Sequence, residues 1–261
     1  MKESEAIVYI VDWIKDYQSK NKIKGLVIGV SGGIDSALTS TLCALTGLKT
    51  LCLNMPIRQR KEQFDRASEH ISWLKNKFKN VNSINIDLTP FFEKFKSIVD
   101  TDAGNNELAL ANSRSRMRML TLYYYAGISN SIVVGTGNKV EDFGIGFYTK
   151  YGDGGVDISP IADLMKSEVY ALSKHLKISN DILNAPPTDG LWDDDRNDED
   201  QIGVSYEDLE NIMNRLEQGE DPKGFSNEIK SFYEVYIGHH NTNKHKMVKI
   251  PVCKIPDKLK L

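Results

Sequence analysis

Four short apolar runs alternate with amphipathic stretches along the first half of the chain, and this alternation restricts the possible folds most strongly. The runs are typical of buried parallel strands and cover residues 24–30, 50–56, 83–88 and 131–137. The stretches between them are predicted helices and cover 4–19, 35–46, 61–78, a segment opened by Thr89-Pro90, and 106–126. The alternation predicts a parallel sheet with helices on both faces.

Beyond residue 140 this alternation weakens. Residues 144–157 are rich in glycine and polar side chains and are predicted to form a loop. Helices are expected near 166–176 and 205–217, packed on the same sheet. Because no repeat, linker or change of composition divides the chain, we expect residues 1–261 to form a single domain.

The charge balance and the cysteines argue against several classes of protein. Lys and Arg number 33 against 36 Asp and Glu, a net charge of −3, so no nucleic-acid partner is expected. The three cysteines form no C-x-x-C pair, which excludes a disulfide scaffold or a cysteine-rich metal site. The N-terminus is amphipathic rather than signal-like, and no apolar run approaches the ~18 residues of a membrane span. These features predict a cytoplasmic enzyme without a membrane partner.

One short motif, Ser31-Gly32-Gly33-Ile34-Asp35-Ser36, lies where the first strand ends and the next helix begins. Ligands of open α/β sheets bind beyond the carboxyl ends of the strands. Two glycines let the backbone approach an anion closely, the helix start adds amides and a favourable dipole, and the serines add hydroxyl donors. The motif predicts a phosphate-binding loop, although it matches neither the common P-loop nor the dinucleotide fingerprint. A tight turn without a ligand is the alternative.

Asp35 is unexpected inside an anion-binding loop, because a carboxylate repels phosphate. Its presence is explained if Mg²⁺ lies between the two, since the ion reverses the local charge. The alternative is that Asp35 only favours the start of the helix through the dipole. We predict the metal role, with Mg²⁺ as the cofactor.

The loop resembles the pyrophosphate loop of the ATP-pyrophosphatase superfamily, and further segments resemble, in order, those of ammonia-dependent NAD synthetases. These segments are 112–119, 135–141, 147–157, the Pro-x-x-x-Leu-x-Lys pattern ending at Lys166, Pro187-Thr188, 202–206 and His245-Lys246. The resemblance covers about residues 5–250 and implies a doubly wound, Rossmann-like α/β fold and a homodimer. The chain departs from the family pattern at Val140, at an extra residue between Asp142 and Gly146, and after Thr188.

The resemblance also implies the residues of the site. Asp35 and Glu141 would bind Mg²⁺, and Asp35, Asp153 and Lys166 would be catalytic. The substrate deamido-NAD would contact Arg116, Lys150, Asp157, His245 and Lys246. The co-substrate ATP would contact Gly29, Val30, Ser31, Gly32, Gly33, Ile34, Asp35, Ser36, Thr136, Lys166 and Thr188.

The implied reaction joins deamido-NAD, ATP and ammonia as small-molecule substrates. The nicotinate carboxylate is adenylated, pyrophosphate leaves, and ammonia attacks the adenylate to give NAD and AMP. Glutamine-dependent relatives carry an amidase domain, for which we expect this chain to leave no room. Free ammonia or a partner protein would then supply the nitrogen.

An acidic run at residues 193–200 holds six carboxylates and one arginine. It is either a self-repelling mobile loop or a lid that becomes ordered when substrates bind. We predict a mobile acidic lid over 193–204, which would keep water from the adenylate.

Two other functions remain open from the sequence. A tRNA-modifying enzyme of the same superfamily would share the loop, but such enzymes usually carry basic surfaces or paired cysteines. A non-catalytic adenine-nucleotide-binding protein would need neither the Asp35 and Glu141 pair nor the substrate segment at 147–157.

Overall fold

The computed structural model describes residues 1–99, 106–188 and 197–260. Within these ranges the predicted strands form one parallel sheet in the order β3-β2-β1-β4. The strands are β1 (Gly25–Gly29), β2 (Lys49–Asn54), β3 (Val81–Asn85) and β4 (Ser131–Val133). Strand order reverses between β1 and β4, which is where such sheets bind ligands.

Helices cover both faces of this sheet, which confirms the predicted doubly wound α/β fold. The helices are α1 (Glu3–Asn21), α2 (Ile34–Leu45), α3 (Lys61–Lys77), α4 (Thr89–Val99), α5 (Glu107–Ser129), α6 (Lys166–His175), α7 (Asn180–Leu183), α8 (Asp198–Ile202), α9 (Tyr206–Glu217) and α10 (Asn227–Met247). Leu26 and Ile28 of β1 pack in a core with α1, α2, α3 and α6, whereas Val27 packs with α4 and α5 on the other face. No helix of the described residues is long and apolar enough to cross a membrane.

All four strands differ from their predicted bounds, the third and fourth most. The third begins at Val81 and ends at Asn85, because its register with β2 runs from Thr50 opposite Val81 to Asn54 opposite Asn85. Beyond that point the chain turns toward α4, where Asp87 Oδ1 accepts the Thr89 N–H at 2.9 Å. The fourth strand is shorter than predicted and is followed by a single bridge from Val134 to Ile158.

The helices after residue 160 do not all pack as predicted. The α6 helix joins the core of α1 and α2, as expected. The α9 helix instead forms a third core with α10, a helix that the sequence analysis does not predict, and in this core Leu209 and Tyr236 pack with Val140 and Ile145. Both faces of the sheet are already covered, so the apolar faces of these helices bury themselves against the segment after β4.

The predicted acidic lid is only partly described. Residues 193–196 lie outside the described ranges, and residues 198–202 form the α8 helix. The mobile lid over 193–204 stays a prediction. Asn197 Oδ1 accepts the Asp200 N–H at 2.8 Å and caps this helix. Asp198 and Ile202 are buried, so this half of the run is part of the folded core.

Candidate active site

A cavity of about 260 Å³ opens beyond the carboxyl ends of β1 and β4, where strand order reverses. Its walls come from the loop after β1, the segment after β4, the first turns of α2 and α6, and residues 185–188, with further residues from the end of β2, from α3 and from α5. All the residues predicted to contact ATP line it: Gly29, Val30, Ser31, Gly32, Gly33, Ile34, Asp35, Ser36, Thr136, Lys166 and Thr188. The tertiary structure thus brings segments from four parts of the chain to one opening.

The loop between β1 and α2 is shaped by its own serines. Ser31 N–H donates to Ser36 Oγ at 3.1 Å, and Gly33 N–H donates to Ser31 Oγ at 3.2 Å. Ser36 Oγ donates in turn to the Gly33 carbonyl at 3.0 Å. The hydroxyls expected to donate to a ligand therefore hold the loop, while the first amides of α2 are the groups a helix leaves for an anion.

Gly32 is required by the backbone and by the neighbouring helix. Its φ angle is +84°, in the left-handed region that side chains rarely adopt. A Cβ at this position would also lie 2.6 Å from the Gln63 carbonyl oxygen of α3. The glycine is therefore needed for the turn and for the packing of α3, whether or not an anion binds.

Lys166 joins two carboxylates at the centre of the cavity. Its Nζ donates to Asp35 Oδ2 at 2.6 Å and to Glu141 Oε1 at 2.9 Å. The lysine side chain is only 4% exposed. Asp35 lies in the first turn of α2, Glu141 follows β4, and Lys166 begins α6. Asp35, Glu141 and Lys166 are together called the centre below. The sequence predicts each of them as a site residue from a different segment.

Burial opposes the charged forms of all three groups, and their mutual attraction outweighs it at Lys166 and Glu141 but not at Asp35. Burial alone would lower the pKa of Lys166, but the two carboxylates raise it above its ordinary value. Burial is likewise outweighed at Glu141, where Lys166 and hydrogen bonds hold the pKa below its usual value. At Asp35 burial prevails and the pKa is raised. The lysine therefore stays protonated and holds the centre together.

Two neutral side chains fix the carboxylates independently of Lys166. The buried Asn138 donates its Nδ2 to Asp35 Oδ1 at 3.0 Å and accepts the Glu141 N–H at 3.1 Å. Tyr206 donates its hydroxyl to Glu141 Oε1 at 2.6 Å. The sequence names neither as a site residue, although both lie in segments that resemble the family.

Glu141 belongs to a π-helix, Val140–Ile145. A π-helix takes one more residue per turn than an α-helix and is frequent at functional sites. The π-helix overlaps the stretch from Asp142 to Gly146, where the sequence analysis expects an extra residue relative to the family pattern. Asp142 of the same π-helix lines the cavity, with its carboxylate against Gly137. Burial, with the charges of Glu141 and Asp153 nearby, raises the pKa of Asp142 well above its ordinary value.

Asp153, a predicted catalytic residue, lines the same cavity and is fixed by hydrogen bonds. Its Oδ1 accepts from Ser115 Oγ at 2.6 Å and from the Thr149 N–H at 3.0 Å. Its own N–H donates to Ser115 Oγ at 2.9 Å. Burial raises the pKa of Asp153, although these hydrogen bonds oppose the shift.

Four of the residues predicted to bind the dinucleotide lie together outside the cavity walls, in a group we call the rim: Arg116, Lys150, His245 and Lys246. Arg116 Nε donates to the Lys150 carbonyl at 3.2 Å, and Lys150 Nζ donates to the His245 carbonyl at 3.0 Å. Lys246 Nζ donates to the Tyr148 carbonyl at 2.8 Å. The rim thus connects α5, the 147–157 segment and the end of α10.

The fifth predicted substrate residue, Asp157, lies next to the end of β4. Its Oδ2 accepts the Val133 N–H at 2.7 Å, and its Oδ1 accepts the Tyr123 hydroxyl at 3.0 Å. It lies outside the cavity walls and is not joined to the rim by these bonds. Its role in binding substrate stays a prediction.

Two arginines that the sequence analysis does not assign to the site also line the cavity. Arg118 Nε donates to the Met55 carbonyl at 3.0 Å. Arg66 Nε donates to the Gly32 carbonyl at 3.4 Å. Arg118 belongs to the arginine-rich segment 112–119 that resembles the family, so the sequence contains a signal that could have identified it. It lies two residues from Arg116 and therefore on another face of α5. Arg66 is one of many charged residues on α3, so no sequence signal identifies it as a site residue.

The chemistry of Asp35 and Glu141 suits Mg²⁺. This ion prefers oxygen ligands and is usually bound by one or two carboxylates together with substrate phosphates. Both carboxylates lie beside the loop and share the Lys166 ammonium, at 2.6 Å and 2.9 Å, so an ion bound to them would lie next to this ammonium rather than in its place. Among the described residues no three or more Asp, Glu, His or Cys side chains are arranged to hold a metal. The pair fits an ion whose coordination is shared with phosphate.

These features are typical of α/β enzymes that act on nucleotides at the switch point of a parallel sheet. The model of the NAD synthase family matches residues 6–248, and the chain belongs to this family of ligases. This confirms the family that the sequence motifs resemble.

Individual relatives support the assignment. The chain is 37% identical over 218 residues to the NH(3)-dependent NAD(+) synthetase of Methanosarcina mazei, covering 82% of each protein. The structure of NMN synthetase from Francisella tularensis superposes with a TM-score of 0.84 at 32% identity, covering 98% of this chain and 100% of that one. The NH3-dependent NAD synthetase from Campylobacter jejuni, in complex with the nitrate ion, gives a TM-score of 0.79 at 26% identity over 97% and 100%.

Proposed function

We propose that the protein amidates deamido-NAD with ammonia and ATP, giving NAD, AMP and pyrophosphate. Membership of the NAD synthase family supports this reaction. The observation that carries it is the centre, where Lys166 lies between Asp35 and Glu141 beside the loop. A fixed cation and two oxygen ligands then stand next to the amides that would hold the triphosphate.

The chemistry requires activation, because a carboxylate resists attack by an amine. In our proposal a nicotinate oxygen attacks the α-phosphorus of ATP, and pyrophosphate leaves with the electron pair of the broken P–O bond. Ammonia then attacks the acyl carbon of the adenylate, loses a proton, and displaces AMP. The loop amides and Lys166 stabilise the charge that develops on the leaving pyrophosphate. The reaction needs no enzyme nucleophile, so positioning and electrostatics would carry the rate.

The remaining residues orient these groups. Mg²⁺, when bound by Asp35 and Glu141, would neutralise phosphate charge. Asn138 donates to the Asp35 carboxylate and accepts the Glu141 backbone N–H, so it holds the first carboxylate directly and the backbone that carries the second. Asp153 is proposed to act near the reacting carboxylate or ammonia, where burial and Ser115 fix its position.

The rim is proposed to bind the anionic dinucleotide. The hydrogen bonds that Arg116 and Lys150 donate, described above, go to neutral backbone carbonyls. These bonds therefore do not neutralise the positive charges of the two side chains. An arginine fork suits phosphate or carboxylate better than a lysine does.

A homodimer and a cytoplasmic location complete the proposal. The α5 helix exposes Leu120, Tyr124 and Ile128, which share one face at spacings of four residues and are 62%, 61% and 66% exposed. Large apolar side chains exposed in a row often mark an interface. Light scattering should give twice the mass of the chain, and a monomer at every concentration would contradict the dimer.

One assay tests the proposed reaction. The protein is incubated with ATP, Mg²⁺, deamido-NAD and ammonium, and NAD and AMP are measured together. Equal amounts of NAD and AMP are expected. Formation of ADP, or turnover of ATP without NAD, would contradict the proposal and favour one of the alternatives left open by the sequence.

A matched pair of variants tests the metal role of Asp35. We expect Asp35→Asn to abolish turnover while the protein still folds, because a neutral amide is a poor ligand for Mg²⁺. Asp163→Asn is the control, since its side chain is fully exposed at 100% and lies outside the cavity. Near-normal activity of Asp35→Asn would remove the metal role.

The likeness to the NMN synthetase structure favours a second candidate substrate. That structure gives a TM-score of 0.84 and is covered completely by this chain. The substrate would then be the mononucleotide of nicotinic acid rather than the dinucleotide. Comparing kcat/KM for the two substrates in the same assay decides between them.

A further inference from the structure

We propose that Tyr206 is a positioning residue of the centre, holding the Glu141 carboxylate and linking it to the first turn of α8. The inference rests on the proposed function for its activity readout. It concerns a segment, residues 202–206, that resembles the family but to which the sequence analysis assigns no role.

Tyr206 contacts two of the three groups of the centre. Its hydroxyl donates to Glu141 Oε1 at 2.6 Å, the same oxygen that accepts from Lys166 Nζ at 2.9 Å. The Lys166 Nζ also lies 4.9 Å from the centroid of the tyrosine ring. Because one carboxylate oxygen receives both donors, the tyrosine fixes the orientation of Glu141 even when the lysine shifts.

The same tyrosine is tied to α8. Its N–H donates to Glu199 Oε1 at 2.8 Å, and its hydroxyl lies 3.4 Å from Asp198 Oδ2. The Asp198 N–H donates to the Pro187 carbonyl at 3.1 Å, next to Thr188 in the cavity wall. Tyr206 therefore connects the carboxylate of the centre with the segment that carries a predicted ATP contact.

Tyr236 provides a matched control. It belongs to the same third core and is buried to the same degree, at 8% exposure against 7% for Tyr206. Its ring stacks on His240, and it lies outside the cavity walls. Replacing either tyrosine by phenylalanine removes the hydroxyl of a buried residue and keeps the ring, but only one of the two changes touches Glu141.

The experiment compares Tyr206→Phe with Tyr236→Phe. NAD formation is measured against Mg²⁺ concentration, and Mn²⁺ binding in the presence of ATP is measured separately by electron paramagnetic resonance. We expect Tyr206→Phe to lower kcat about tenfold and to raise the half-saturating metal concentration by a similar factor, as loss of a hydrogen bond to a charged group does. The KM for deamido-NAD should stay within about twofold. Tyr236→Phe should change none of these.

Equal activity and equal metal binding in the two variants would overturn the inference. The inference would also be overturned if both variants lost activity in proportion to a lower melting temperature, since the Tyr206 hydroxyl would then contribute to packing alone. If the unmodified protein makes no NAD, the proposed function fails, and the Mn²⁺ measurement still tests the role of Tyr206. Asp198→Asn should give a smaller change in the same direction, because its carboxylate lies 3.4 Å from the hydroxyl.

Discussion

The centre and the rim use charged side chains in opposite ways. In the centre, Lys166 donates to two carboxylates from a side chain that is 4% exposed, so opposite charges are paired inside the protein. In the rim, Arg116 and Lys150 donate to backbone carbonyls near the surface. The first arrangement is fixed before substrate arrives, whereas the second offers positive charge to whatever anion binds.

This contrast assigns different tasks to the two regions. Burying an ion pair costs desolvation free energy, but it holds the charged groups in a geometry that does not change during the reaction. Cations that are exposed or half-buried cost less in the free protein than fully buried ones and gain most when an anion arrives. We therefore expect changes in the centre to act on kcat and changes in the rim to act on KM.

The largest effect is expected from Lys166→Met. It leaves Asp35 and Glu141 buried together without their cation, so we expect kcat to fall by about a hundredfold to a thousandfold and stability to fall by about 3 kcal/mol. Steady-state kinetics and thermal unfolding measure the two effects. Lys139→Met is the control, because Lys139 also pairs with a carboxylate, Glu217 at 2.7 Å, but outside the cavity. Equal losses in both variants would show that the centre is only structural.

In the rim, Arg116→Ala should raise the KM for deamido-NAD about tenfold, the effect of losing one charged contact. The kcat should stay within about twofold, because the centre is untouched. Arg215→Ala serves as the control, since that arginine pairs with Glu220 at 2.8 Å and does not belong to the rim. A fall in kcat with unchanged KM would erase the distinction between centre and rim.

Alkaline pH should weaken substrate binding at the rim through Lys246. Burial lowers the pKa of Lys246, so its positive charge is lost at a lower pH than for an ordinary lysine. Protonated Lys246 attracts an anion, and affinity should therefore fall as the pH rises through this pKa. Calorimetric binding of deamido-NAD avoids the titration of ammonium. Lys246→Arg should remove the alkaline loss, and an unchanged profile would show that Lys246 does not contact the substrate.

The smallest effect is expected from Asp157→Asn. The change weakens the bonds to Val133 N–H and the Tyr123 hydroxyl and should cost about 1 kcal/mol of stability. Tyr123→Phe removes one of the same bonds without changing the charge, so the two variants should melt alike. A large rise in KM for Asp157→Asn alone would instead support the substrate role that the family resemblance implies.

Local sequence patterns were sufficient for the parts of the fold that depend on neighbours in the chain. The apolar runs and the helical spacing predict β1 and α2, and the glycine-rich turn between them predicts the loop. The predicted end of β3 was wrong because it depends on the register with β2, which runs from Thr50 opposite Val81 onward. The β2 strand lies far from β3 in the sequence, so local patterns do not contain this register. The predicted packing of α9 was wrong for a similar reason, since helical periodicity gives an apolar face but not its partner, and the α10 helix was not predicted.

The sequence by itself singled out Asp35, Glu141 and Lys166 as candidate site residues, Asp35 from its place in the loop and the other two from motifs that resemble the family. Only the tertiary structure decided that they meet around one ammonium, that Asn138 and Tyr206 orient them, and that the rim stands apart from the cavity. The physical reason is that a motif records local backbone geometry. Burial, charge pairing and hydrogen bonds between distant segments exist only after the sheet and its covering helices have assembled.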